Sequence, residues 1–95
     1  MTMTTSSNNV NIIGNIKSVS DYQEIKSQVD TLVEVHKSII INIKDSLSIT
    51  SSVIGYFNKL VLKDSIGIEM RVGNEQLMEL LDDLNLAALF KAKKV

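Results

Sequence analysis

The chain has no cysteine, no proline and no tryptophan, and only four glycines, two tyrosines, two phenylalanines and one histidine. Each absence excludes something. Without cysteine there are no disulfides, no thiolate catalysis and none of the usual structural zinc sites, a composition compatible with a reducing cytoplasm. With so few aromatics the core has to be aliphatic. Charge of one sign is also lacking: ten basic and eleven acidic residues give a formal net charge of −1. The basic residues are scattered except for Lys91, Lys93 and Lys94, so no electrostatic footprint for nucleic acid is present and the basic end reads as a solvated terminus. No apolar run approaches the ~20 residues of a membrane span, and MTMTTSSNN has neither the charged region nor the apolar core of a signal peptide. These absences lead to the expectation of a cytoplasmic protein without membrane insertion.

What is there is enough for one core. Hydrophobic residues make up 44% and charged residues 22% of 95 residues, close to globular averages, so the chain should fold as one domain without a metal or other cofactor. Seven of the first nine residues are Ser, Thr or Asn. Such a segment buries too little to offset its ordering entropy, and residues 1–9 read as a flexible polar tail ahead of a single domain over 10–95.

From Val10 the residues alternate in apolar character to Lys17, which predicts a strand over 10–17. Ser20 and Gln23 have capping-box spacing, and Tyr22, Ile25, Val29, Leu32 and Val33 recur at steps of three and four, predicting a helix that runs to about His36. Ile39-Ile40-Ile41-Asn42-Ile43 is β-branched at nearly every position and reads as the central strand. Val53, Ile54, Phe57, Leu60 and Val61 form one stripe of a second helix that ends near Lys63. Ile66, Ile68, Met70 and Val72 alternate with Gly67, Glu69 and Arg71, as in a strand with one wet face. Asn74 suits an N-cap and Glu75 the positive end of the third helix, lined by Leu77, Met78, Leu81 and Leu84; Leu86, Leu89 and Phe90 repeat that spacing in a short terminal turn. Strands alternating with helices in this way predict an α/β fold: a mixed or parallel sheet of about three to four strands packed with about four helices.

Few residues carry recognisable chemistry. His36 has no Asp, Glu or Ser at a triad or metal spacing and reads as a polar residue at a helix C-terminus. Asp82 and Asp83 point about 100° apart on a helix, which suits a solvated face better than a catalytic pair. Gly55 and Gly73 belong to no phosphate-binding loop pattern. With no converging acid, base or nucleophile, an enzyme is not expected. That leaves Thr50-Ser51-Ser52 at a strand-to-helix junction, where hydroxyls either cap the helix or, at the positive end of its dipole, carry an attached phosphate.

The stretches Ile41-Asn42-Ile43, Ile49-Thr50-Ser51-Ser52-Val53-Ile54-Gly55 and Val72-Gly73-Asn74, with residues 80–90, resemble the STAS domain, the family of bacterial anti-sigma-factor antagonists and of cytoplasmic domains of sulfate transporters. In that family the helix after the central strand opens Ile-Asp-Ser-Ser-Gly-Leu-Gly, and a partner kinase that doubles as anti-sigma factor phosphorylates the first serine. Ser51 stands in that place, whereas Asn42 and Thr50 replace aspartates and Val53 replaces a glycine. The resemblance implies a regulatory protein-binding module in transcription signalling, with Ser51 as the phosphorylation candidate. It further implies partner contacts at Thr50, Ser51, Ser52, Val53 and Tyr56, no catalytic or metal residue and no cofactor. Its partner would be an anti-sigma-factor-like serine kinase. The alternative is an unphosphorylated STAS subunit or scaffold of a transport or signalling complex.

Overall fold

A computed structural model describes residues 1–95 as a five-stranded mixed sheet with three helices. The order is β1 (Thr2–Ser6), β2 (Asn9–Ile13), α1 (Val19–Val33), β3 (Ser38–Ile43), α2 (Ser51–Leu62), β4 (Gly67–Val72), α3 (Glu75–Asp83) and β5 (Ala92–Lys94). Strands lie in sequence order across the sheet; β1 is antiparallel to β2 and every other neighbouring pair is parallel. Right-handed crossovers between strands in sequence order carry all three helices to one face. Burial agrees: Val10, Ile12, Ile39, Ile41, Ile43, Ile68, Met70 and Val72 are buried, while Asn11, Ile13, Asn42, Glu69 and Arg71, on the other face, keep contact with solvent.

Both ends of the chain depart from expectation. Residues 1–9 are not a tail: β1 forms a hairpin with β2 through Ser7 and Asn8, with Ser7 at φ 55°. An edge strand needs little apolar area of its own. Here Met3 alone is buried, while the β-branched threonines suit the pleated backbone. At the other end, the region of Lys91, Lys93 and Lys94 is not frayed; β5 extends the sheet in parallel beside β4. β4 is therefore interior, and its wet side is the helix-free face. The sheet has five strands instead of three or four, and the fold three helices instead of four.

The strand expected over 10–17 stops at Ile13, because Gly14 turns the chain at φ +89°, a conformation that suits glycine alone. The capping box of α1 is formed by Ser18 and Asp21, not Ser20 and Gln23. Ser18 Oγ accepts from Asp21 N at 3.0 Å, and Asp21 Oδ2 accepts from Lys17 N at 3.0 Å and from Ser18 N at 3.2 Å. The amide donated by Lys17, above all, holds the Asp21 carboxyl below the usual range. β3, α2 and α3 lie where the apolar spacing places them. Asn74 caps α3, its Oδ1 accepting from Leu77 N at 3.0 Å.

Candidate functional site

The β3–α2 loop and the first turn of α2 project from the carboxyl end of the sheet, beside the β2–α1 loop. Three hydrogen bonds fasten the two loops. Gly14 N donates to Asp45 Oδ1 at 2.7 Å, Ile16 N to Ser46 Oγ at 3.0 Å, and Leu47 N to Asn15 Oδ1 at 2.9 Å. Ser46 is the one fully buried polar residue, and its hydroxyl in turn donates to Ser48 O at 2.6 Å. Gly73 closes the same end of the sheet: a Cβ there would lie 2.1 Å from Lys44 O, so the backbone contact depends on glycine. The first turn of α2 is thus presented from a hydrogen-bonded platform. No local signal in the sequence marks that latch, because its partners are about thirty residues apart.

Within that turn the three hydroxyls have separate roles. Thr50 is the N-cap, with extended backbone and with Oγ1 accepting from Val53 N at 3.3 Å. Ser51 and Ser52 are the first two helical residues, are exposed, and make no side-chain hydrogen bond within the chain. Capping therefore accounts for Thr50 and leaves both serine hydroxyls free at the positive end of the helix dipole.

Val53 and Tyr56, expected at the partner-binding surface, face inward and are buried at 0% and 4% exposure. Val53 joins the core with Phe57, so its side chain is not available at the surface. Tyr56 instead ties α2 to α1: its hydroxyl donates to Asp30 Oδ1 at 2.6 Å, and Lys26 Nζ lies 2.7 Å from Asp30 Oδ2 and 5.5 Å from the Tyr56 ring centroid. Burial, followed by the Asp30 carboxylate, raises the Tyr56 pKa far above its ordinary value and keeps the phenol protonated. Burial alone would raise the Asp30 carboxyl, but hydrogen bonds from Lys26 and Tyr56 outweigh it and hold the group below the usual range. What α2 shows to solvent is Ser51, Ser52, Gly55, Lys59 and Leu62.

Beside the serines a groove of about 250 Å³ runs between the N-termini of α1 and α2, lined by Lys17, Ser18, Val19, Tyr22, Thr50 and Ser52. The carboxylates nearest in sequence do not serve Ser51. Asp45 is committed to the Gly14 amide, and α2 has no acidic residue in its first turn. Asn42 points to the helix-free face, where its amide donates to Asn11 Oδ1 at 3.1 Å. A larger depression, about 500 Å³, covers that face over Thr4, Asn11, Asn42, Lys44 and Arg71. Arg71 there is paired to Glu69 at 2.9 Å.

No three His, Asp or Glu side chains are grouped as a metal set, and no helix is long and apolar enough to cross a membrane. Compared with family models, with curated proteins and with solved structures, the chain matches none.

Proposed function

We propose that the chain is a STAS-like regulatory module whose docking surface is the first turn and outer face of α2, switched by phosphorylation of Ser51. One observation carries this reading: Thr50 supplies the cap, so Ser51 is an exposed, unpartnered hydroxyl at the helix N-terminus. Phosphorylation there adds roughly −1.5 to −2 charge, which the helix dipole stabilises within the domain and which opposes an acidic or apolar partner face. The unmodified surface of Ser51, Ser52 and Gly55 binds an anti-sigma-factor-like protein with serine kinase activity; the modified surface releases it. The role is binding, not turnover.

The second reading is an unphosphorylated STAS subunit of a transport or signalling complex. It is favoured by one specific observation: α2 has no acidic residue in its first turn and Asp45 is engaged by the Gly14 amide, which leaves a kinase no carboxylate to read beside Ser51. Affinity purification from the native host, with wild type, Ser51→Ala and Ser51→Asp as baits, separates the two. The switch predicts a partner kept by wild type and Ser51→Ala and lost by Ser51→Asp. Equal retention of a transporter subunit by all three baits supports the second reading and overturns the first.

A further inference from the structure

We infer that β1 is a self-association edge, through which two copies of the chain pair antiparallel about Thr4 to make one continuous ten-stranded sheet. This surface lies apart from the first turn of α2 and does not depend on the function proposed for it.

β1 is an outermost strand, so one side of its backbone is unpaired. The ladder shows which groups are free. Ile40 N donates to Asn8 O at 3.0 Å and Lys44 N to Ile12 O at 3.1 Å, so the even-numbered residues of β2 turn their backbone groups towards β3. Asn9, Asn11 and Ile13 then turn theirs to β1, where they face Ser6, Thr4 and Thr2. The N–H and C=O groups of Met3 and Thr5 are left on the open edge.

Edges of this kind are ordinarily blunted by lysine, proline or a bulge. The opposite edge follows that rule, with Lys93 and Lys94 exposed on β5 and Lys91 just before it. β1 reads TMTTS, with no charge, no proline and no bulge in its pairing to β2. On the helix side of the edge, the shallow groove beside Thr5 is lined by Ser27, Gln28, Thr31 and Leu32, none of them charged, in a chain that is 22% charged; on the other face the charges of Lys44 and Arg71 lie farther across the sheet, beyond Asn11. A patch from which charge is withheld meets its own copy without repulsion.

The register follows from the free groups. A two-fold axis at Thr4 sets Met3 opposite Thr5 of the second copy and Thr5 opposite its Met3, which pairs every open backbone group of the edge. Thr2 meets Ser6 of the second copy, and the two Thr4 side chains meet at a non-hydrogen-bonded position, a favourable threonine pair. The row Thr4, Asn11, Asn42, Arg71 on the helix-free face then runs on into its copy. Such an isologous contact closes at two copies, and the lysine-bearing β5 edges stop further growth. The contact is small, so the dimer is weak, with Kd on the order of 100 µM.

Sedimentation velocity with the full chain tests this. Wild type is expected to shift from monomer to dimer as concentration rises to about 1 mM. Thr4→Lys sets like charges opposite each other and weakens association at least about tenfold, with unchanged circular dichroism because Thr4 is exposed. As the chain has no cysteine, Thr4→Cys supplies a single thiol. Its Cα atoms across the axis would be about 4.5 Å apart, within disulfide range. Thr2→Cys and Ser6→Cys place their own pairs about 14 Å apart. Mild oxidation should therefore cross-link Thr4→Cys well ahead of the other two. A monomeric wild type at about 1 mM, growth beyond a dimer, persistence of the dimer in Thr4→Lys, or equal cross-linking of the three thiol variants overturns the proposal.

Discussion

Tyr56 and Asp30 meet across α2 and α1 at 2.6 Å, and that bond, not a partner contact, is what the tyrosine hydroxyl does. It joins α2 to α1 across their packed faces. Tyr56→Phe keeps the ring in the core and removes only the hydroxyl. Asp30 is about half exposed, so water replaces the lost donor. The expected cost is about 0.5–1.5 kcal/mol in urea unfolding.

The same carboxylate makes stability depend on acid. Asp21 and Asp30 both titrate below 3.8 in the folded chain, Asp21 through amides donated at the α1 cap and Asp30 through Lys26 and Tyr56 against its burial. A carboxyl depressed on folding contributes stability that is fully present above its unfolded pKa and is lost as pH falls through the folded one. Stability should therefore be level between about pH 5 and pH 9, fall below about pH 4, and fall again at about pH 10 and above, where the unfolded chain ionises Tyr56 and the folded one does not. Asp21→Asn and Asp30→Asn should each flatten that fall, as read from urea midpoints at a series of pH values.

At the start of α2, the cap residue and the proposed switch residue are separable by stability alone. Thr50→Ala should cost about 0.5–2 kcal/mol, the loss of an N-cap, and Ser51→Ala should stay within about 0.5 kcal/mol of wild type. Equal costs would mean that Ser51 shares the capping and is not a spare hydroxyl.

Ser46 tests the platform. Its hydroxyl is buried between Ile16 N and Ser48 O, so Ser46→Ala leaves an amide and a carbonyl unsatisfied and should cost about 1–3 kcal/mol. Hydrogen exchange should accelerate first at Ile16, where the amide loses its acceptor.

Gly55 and Gly73 should respond in opposite directions. A Cβ at Gly55 meets nothing within 4 Å, so Gly55→Ala should stabilise α2 by roughly 0.5–1 kcal/mol. At Gly73 it would lie 2.1 Å from Lys44 O, and Gly73→Ala should destabilise by about 2 kcal/mol or more. Thermal denaturation reads both. If the outer face of α2 docks a partner backbone closely, Gly55→Ala also weakens that binding while stabilising the free chain.

The parts of the fold that were legible in the sequence are those with a strong period and an unambiguous cap: the isoleucine-rich β3, the stripe of α2, and Asn74 ahead of α3. Edge strands were not legible. β1 and β5 carry one buried residue between them, Met3, and their membership in the sheet comes from backbone pairing that no side chain announces. Ser18 and Ser20 both fit a cap locally; Asp21, three residues after Ser18, decides between them. At the site, the helix start was readable, but the division of labour among Thr50, Ser51 and Ser52 was not. The inward turn of Tyr56 depends on Asp30, 26 residues away, and only tertiary packing supplies it.

The most direct test is intact-mass spectrometry of the full chain after incubation with ATP and cytosol of the native host, with the modified residue mapped. A gain of one phosphoryl group at Ser51, absent from Ser51→Ala, is the predicted result. A chain that stays unmodified under every condition, or one phosphorylated elsewhere with Ser51 untouched, would contradict the switch.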